Sequence, residues 1–346
     1  MKKKIFLLLI TILLFIAGCN KQENNQLLEN EKIDKEINEE IKKVNIVDLE
    51  SDTRPYAVVI NNFPSAVKVH SGLQEAYIVY EFPIEGGMTR SLALYKDKED
   101  VKIGTIRSAR HDYLDYVLEN DAIFVHFGWS HTAREHISQL KVNYIDGNSS
   151  DPSPFWRENP EGLATEHTVY TNLSKIIDYN KNVKGYRTTT AVKPSLKYTT
   201  EDIKLNEYND SKVANSIELS YSGAFKVNFT YNTETGRYDR VVNGVAHTDY
   251  FTKKQYDCEN IIVTLLDWGY VTDHADAAGN NYLDLYNVGT GKGYYITNGY
   301  TREITWSKQD RSSQTKYTYL DGTEVDVSDG NTWVMFQSNS QGVKIN

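Results

Sequence analysis

Between Glu81 and Arg134 the chain gathers its densest set of side chains able to do chemistry. Glu81 and Glu85 flank the end of one apolar stretch and are followed by Gly86-Gly87. Arg90 opens the next stretch, and Arg107, Ser108 and Arg110 close another, just ahead of a helix expected from Asp112. Guanidinium forks and the free N–H groups of a helix start converge well on phosphate or carboxylate oxygens. Arg90, Arg107, Ser108 and Arg110 are therefore candidate ligands for an anion. Glu81 and Glu85 are candidates to hold Mg²⁺ or Mn²⁺ bridging to such an anion; otherwise no cofactor is expected. His126 ends a further apolar run, and Gly128 lets a ligand approach the backbone. The same charges could instead neutralise one another in a buried network, which is costly unless each charge is paired. The sequence leaves both readings open, and taken alone His126 reads as a satisfied core histidine.

Other chemistry is thin. His131 and His136 are five apart, no HExxH occurs, and there is no GxSxG, P-loop or Cys–His pairing. Nucleophilic hydrolysis is disfavoured, and the leaning is toward binding rather than catalysis. Phe155-Trp156-Arg157 and Glu166 to Asn172 keep aromatics and histidine on loops, where ligand contacts sit, although Trp156 reads equally as an edge plug. His247 and Asp249 suggest a polar corner.

The elements that must position these residues begin near Arg54-Pro55. Apolar strands are expected at Tyr56 to Asn61, Ala76 to Phe82 and Ala122 to Phe127. A hairpin is expected from Ser91 to Lys96 and Lys102 to Ile106. Helices are expected from Asp112 to Asn120, from a Ser130 or Thr132 cap to Leu140, and from Leu173 to Tyr179. Strands mixed with helices predict a layered α/β domain over 53–190. A Thr-, Lys- and Asn-rich stretch over 191–214 reads as a linker or long connection. From 215 to 346, short β-patterned runs alternate with Asn243-Gly244, Asp321-Gly322 and Asp329-Gly330 turns, predicting a mostly antiparallel, all-β second domain. The fold class expected is thus α+β.

The N-terminus sets the address. Lys2 to Lys4, the apolar run Ile5 to Ile16, and Ala17-Gly18 before Cys19 make a signal peptide over 1–18, too short for a comfortable bilayer span. The ending resembles a lipobox, so Cys19 is expected to be lipidated and to anchor the chain outside the membrane. Residues 19–52 read as a charged tether in which Ile33, Ile37, Ile41 and Val44 recur at helical spacing. Removing residues 1–18, with three lysines and no acid, takes the formal charge from −9 to −12. That balance argues against nucleic acid as a partner. Cys258, left without a partner thiol, reads as buried and inert. The 25 tyrosines and five tryptophans read as strand packing, with carbohydrate stacking the sharper alternative.

With these residues in order (Glu85-Gly86-Gly87-Met88-Thr89-Arg90, Ile103 to Arg110, and Val125-His126-Phe127-Gly128), the sequence from about Arg54 resembles the YerB family of Gram-positive lipoproteins. The likeness extends to His167, Tyr170 and Thr171, His247 and Asp249, Gly291, Trp306 and Thr332-Trp333. It implies a two-part ectodomain of undefined activity. At Asn61 related sequences tend to carry an acid, which puts a metal role here in doubt. Arg90 to Gly147 also resembles, more loosely, the LytR-CpsA-Psr phosphotransferases, which handle polyprenyl pyrophosphates. The expected function is a membrane-anchored protein binding an anionic cell-wall ligand or envelope protein in wall metabolism, growth or sporulation. The alternatives are a metal-assisted enzyme on phosphorylated lipid-linked or wall substrates, and an adaptor for a peptidoglycan hydrolase.

Overall fold

Tyr56–Asn61, Ile78–Ile84 and Met88–Tyr95 are near-continuous apolar runs, the pattern of strands covered on both faces. They form β1, β2 and β3, and every residue in them except Met88 is buried. The structure, a computed structural model, describes residues 44–346 other than 152 and 277. The signal peptide, Cys19 and the tether up to residue 43 lie outside the described residues.

Along the first half come β4 (Lys102–Gly104), β5 (Ile123–His126), β6 (Tyr144–Asp146), β7 (Phe155–Arg157) and β8 (Val169–Asn172). Helices α1 (Pro64–Val67), α2 (Tyr113–Glu119), α3 (His131–Gln139) and α4 (Leu173–Tyr179) intervene. Ser130 caps α3 by accepting from Ala133 N, as expected of a helix start. Two short strands, β9 (Lys197–Thr199) and β10 (Lys212–Val213), follow. Then come β11 (Ser216–Ser222), β12 (Phe225–Asn232), β13 (Arg237–Val242), β14 (Val245–Ala246), β15 (Asp257–Cys258) and β16 (Asn260–Leu266). The chain closes with β17 (Trp268–Ala275), β18 (Asn281–Leu285), β19 (Gly289–Thr297), β20 (Tyr300–Lys308), β21 (Lys316–Tyr319), β22 (Asp326–Ser328), β23 (Thr332–Ser338) and β24 (Lys344–Ile345).

One mixed sheet organises the molecule, in the order β10-β20-β19-β16-β23-β2-β3-β1-β5-β6, with β21 on β20. Late in the chain, β23 inserts in parallel between β2 and β16, placing Thr332 opposite both Ile78 and Asn260. Alternation along β1 assigns the two faces. Ala57 and Val59 pack with Tyr113, Tyr116 and Val117 of α2, whereas Val58 and Ile60 pack with Leu173 and Ile176 of α4 and with Ile217 and Phe229. The last two belong to the second sheet, β14-β13-β12-β11-β24 with β15 on β13, which covers that face. The fold is predominantly β, and among the described residues the four α-helices all lie between Pro64 and Tyr179.

Four expectations meet a different arrangement. Residues 53–190 and 215–346 share the central sheet, and Val44–Asn346 forms one compact unit. The stretch 191–214 is folded onto that unit: Leu196, Tyr198 and Leu205 are buried, β9 pairs with β22, and β10 pairs with β20. Folded structure also starts before residue 53. Val44 and Val47 are buried in the core, and Asp329 accepts from the backbone N–H groups of Asn45 and Ile46. The expected hairpin of Ser91–Lys96 with Lys102–Ile106 does not form, because β1 and β2 occupy both edges of β3. Instead β4 pairs with β8. Cys258 is fully buried, and burial pushes its thiol well above the ordinary range, an inert thiol.

Candidate functional site

Glu81 and Glu85 leave the same strand in different environments. Glu81, in β2, faces the second sheet and is fully buried. Thr89 donates to its Oε1 at 2.7 Å, and Arg240 Nη2, from β13, donates to Oε2 at 2.6 Å. Arg240 lies 4.3 Å from the Trp333 ring centroid and reaches His247 Nδ1 at 2.5 Å. His247 Nε2 is 2.9 Å from His70 Nδ1, and His70 Nε2 is 2.6 Å from the Asn61 carbonyl.

The directions in this chain follow from its ends, since a guanidinium only donates and a carbonyl only accepts. His70 Nε2–H gives to Asn61, His247 Nε2–H gives to His70, and Arg240 gives to His247. Both histidines are thus held neutral. Burial agrees, lowering His70 to about 4 and, with the Arg240 charge, His247 well below its ordinary value. Each Glu81 oxygen thus accepts a hydrogen bond from a protein donor.

Glu85 sits in the tight turn after β2, where Gly86 and Gly87 both take positive φ. At Gly87 a Cβ would come within 2.8 Å of Ser222 Cβ, so glycine lets the turn press on the second sheet. The Glu85 carboxylate is gripped by Arg110 through Nε to Oε2 at 3.0 Å and Nη2 to Oε1. Burial raises Glu85, but the Arg110 bonds and charge, with Arg90, more than offset it and its pKa falls. This fork uses Glu85 as the partner of Arg110. Arg110 also lies 4.8 Å from the Tyr282 ring centroid.

Arg90 is buried, and its Nη1 donates to the Ser108 carbonyl at 2.6 Å while its Nε has no partner. Burial, then the charge of Arg110, lowers its pKa to about 10. Arg107 and Ser108 are half-buried and form the accessible side of the group. Arg107 is lowered by burial, against which Glu166 pulls upward and Arg110 pushes further down. Beside it, His167 accepts from Asn61 Nδ2 at 2.8 Å and stacks on Phe63 at 4.8 Å between ring centroids. Burial and the Arg107 charge lower His167. Beside Glu85 opens a cavity of about 370 Å³, lined also by Gly87, Trp268, Tyr270, Asn280 and Gln341. It reaches Glu85 and not the arginines.

His126 is a core residue. It is fully buried among Phe124, Trp129 and Tyr144, its Nδ1 lies 2.9 Å from the Gly128 carbonyl, and burial lowers it to about 4. Gly128 donates its N–H to Asp146, and its position at φ 78° has Ser108 Oγ 3.2 Å from where a Cβ would sit. Gly128 therefore borders Ser108, while His126 points away into the core. The His247/Asp249 corner is structural too. Asp249 accepts from Gly72 N at 2.8 Å and Tyr256 OH at 3.0 Å. Arg240 and His70 carried no sequence signal; only the folded pairing reveals them.

These features define a mostly β protein in which two sequence halves share one mixed sheet around two charge networks. Two family models match it, described as the N-terminal domain and the C-terminal domain of a protein of unknown function (DUF3048), over residues 44–187 and 217–334. The chain belongs to this family. It is 30% identical over 296 residues to a Bacillus subtilis (strain 168) protein named "Putative lipoprotein YerB", covering 83% of this chain and 79% of that one. The crystal structure of YerB from Bacillus subtilis is similar at a TM-score of 0.73 and 27% identity, over 88% of this chain and 99% of the other. Among the described residues no helix is long and apolar enough to cross a membrane.

Proposed function

We propose that this chain is a lipid-anchored extracytoplasmic protein that binds an anionic envelope ligand at Arg90, Arg107, Ser108 and Arg110, in support of wall metabolism, growth or sporulation. A phosphate or carboxylate group enters past half-buried Arg107 and Ser108. Arg90 and the Arg110–Glu85 fork form the positive wall behind it.

One observation carries this reading. Of the five buried arginines, Arg54, Arg110, Arg240 and Arg302 each reach a carboxylate, at Asp121, Glu85, Glu81 and Asp210. Arg90 makes no carboxylate salt bridge among the described residues; its Nε is unpartnered, as is that of Arg240, but Arg240 has Glu81. A buried charge without a countercharge is costly, and an anion supplied from outside removes that cost. Three guanidinium groups against Glu85 and Glu166 still leave net positive charge there. The anchor rests on the Cys19 motif and on the lipoprotein name of the Bacillus relative.

Calorimetric titration with inorganic pyrophosphate, alongside citrate as a carboxylate probe, tests the site. Saturable binding is expected to weaken about tenfold or more in Arg107→Ala, with the melting temperature within ~2 °C of wild type. Undiminished binding by Arg107→Ala would remove the site from this position.

A further inference from the structure

Next to the arginines the fold assembles a second group of ligating side chains. His111 and Asp112 lead into α2, and Asp284 comes from β18. One donor atom from each lies within 4.8 Å of the others, the one such set of three found among the described residues. His111 Nε2 stands 3.2 Å from Asp284 Oδ1 and 3.4 Å from Asp112 Oδ1. A tetrahedral metal with bonds of about 2.0–2.2 Å holds its ligand atoms roughly 3.3 Å apart. The observed spacing is that of such a ligand set.

Two further observations point to a cation at this node. Asp112 is buried, caps no N–H of α2 with its side chain, and accepts from Leu285 N at 3.0 Å. Arg311, which reaches the His111 carbonyl, is committed elsewhere: to Asp115 at 2.5 Å and to His136 Nδ1. His111 is also buried, its Nδ1 has no partner, and its Nε2 faces two carboxylate oxygens that a single N–H cannot serve equally. Asp284 is exposed, which leaves an entry path and an open coordination position.

We propose that His111, Asp112 and Asp284 bind a divalent transition metal of the zinc type. One imidazole with two carboxylates suits zinc better than magnesium, which prefers all-oxygen, largely hydrated sites. The site pins the β17–β18 hairpin to the start of α2. That hairpin carries Tyr282, which covers Arg110, and supplies Trp268, Tyr270 and Asn280 to the cavity beside Glu85. Metal occupancy thereby fixes the wall of that cavity, whether or not an anion binds at Arg107.

Titrating the full chain, stripped of metal with a chelator, with Zn²⁺ decides the matter. One zinc per chain is expected at micromolar affinity or tighter, weakened at least about tenfold in His111→Ala and in Asp284→Asn. Hydrogen exchange of the β17–β18 amides should slow on adding zinc to wild type and stay unchanged in Asp284→Asn. Asp284 is exposed, so this variant keeps the test valid should His111→Ala fail to fold. Absence of saturable zinc binding, or wild-type affinity in Asp284→Asn, overturns the proposal.

Discussion

Glu81 and Glu85 are four residues apart on one strand and its turn, each held by an arginine, yet their networks are built on opposite terms. Around Glu81 every charge has a fixed answer: Arg240 pairs with it, and the histidines beyond are neutral links ending on a backbone carbonyl. Around Glu85 the charges do not cancel, since Arg90, Arg107 and Arg110 face only Glu85 and Glu166. The first network is a stapled joint between the two sheets. The second is the scaffold at which the proposed function places an outside anion. A cluster of charges in sequence thus splits into one part that holds the fold and one part left unsatisfied.

Perturbing each network in turn should separate them. Arg240→Ala leaves Glu81 buried without its cation and should cost about 3–5 kcal/mol in urea denaturation; a loss below ~1 kcal/mol would mean the joint is not structural. Acid should act through the same network. An unfolded histidine takes up its proton near pH 6.5, while His70 resists until about 4. The unfolded chain therefore binds protons first as pH falls, and stability present above 6.5 is lost on the way to 4. At about 1.4 kcal/mol per unit, His70 alone contributes roughly 3 kcal/mol of this loss, and buried His126, also at about 4, adds to it. A flat stability profile between pH 6.5 and 4 would contradict the neutral relay.

Smaller stability effects are expected at the second network. Glu85→Gln weakens one fork and should cost about 1–2 kcal/mol, while tightening pyrophosphate binding because the positive excess grows. Unchanged or weaker binding in that variant would count against the anion reading. Arg107→Ala should shift stability by no more than about 0.5 kcal/mol, with the loss of binding stated above. The expected contrast is sharpest here: the mutation that should matter least to the fold should matter most to the proposed ligand.

Local structure was legible where the chain speaks locally. The apolar run Tyr56–Asn61 is a strand with the expected ends, and Leu173–Tyr179 is the expected helix. Pairing was not, because periodicity says which face a strand buries and not which partner lies beside it. Nothing near Ile78 announces Thr332, so the merging of two halves into one sheet escaped the sequence. The same holds for the site. Arg90, Arg107 and Arg110 were visible as a group, but the split between Glu81 and Glu85 depends on Arg240, 159 residues away from Glu81. His111 meets Asp284 across 173 residues, with no motif to mark either.

The most direct test of the unsatisfied network is a crystal structure determined with inorganic pyrophosphate. The account predicts an anion within hydrogen-bond reach of Arg107 and Arg90, with the Glu81–Arg240–His247–His70 chain unchanged. An empty Arg107 side with the pyrophosphate bound elsewhere, or no bound pyrophosphate at a concentration that saturates it in solution, would contradict it.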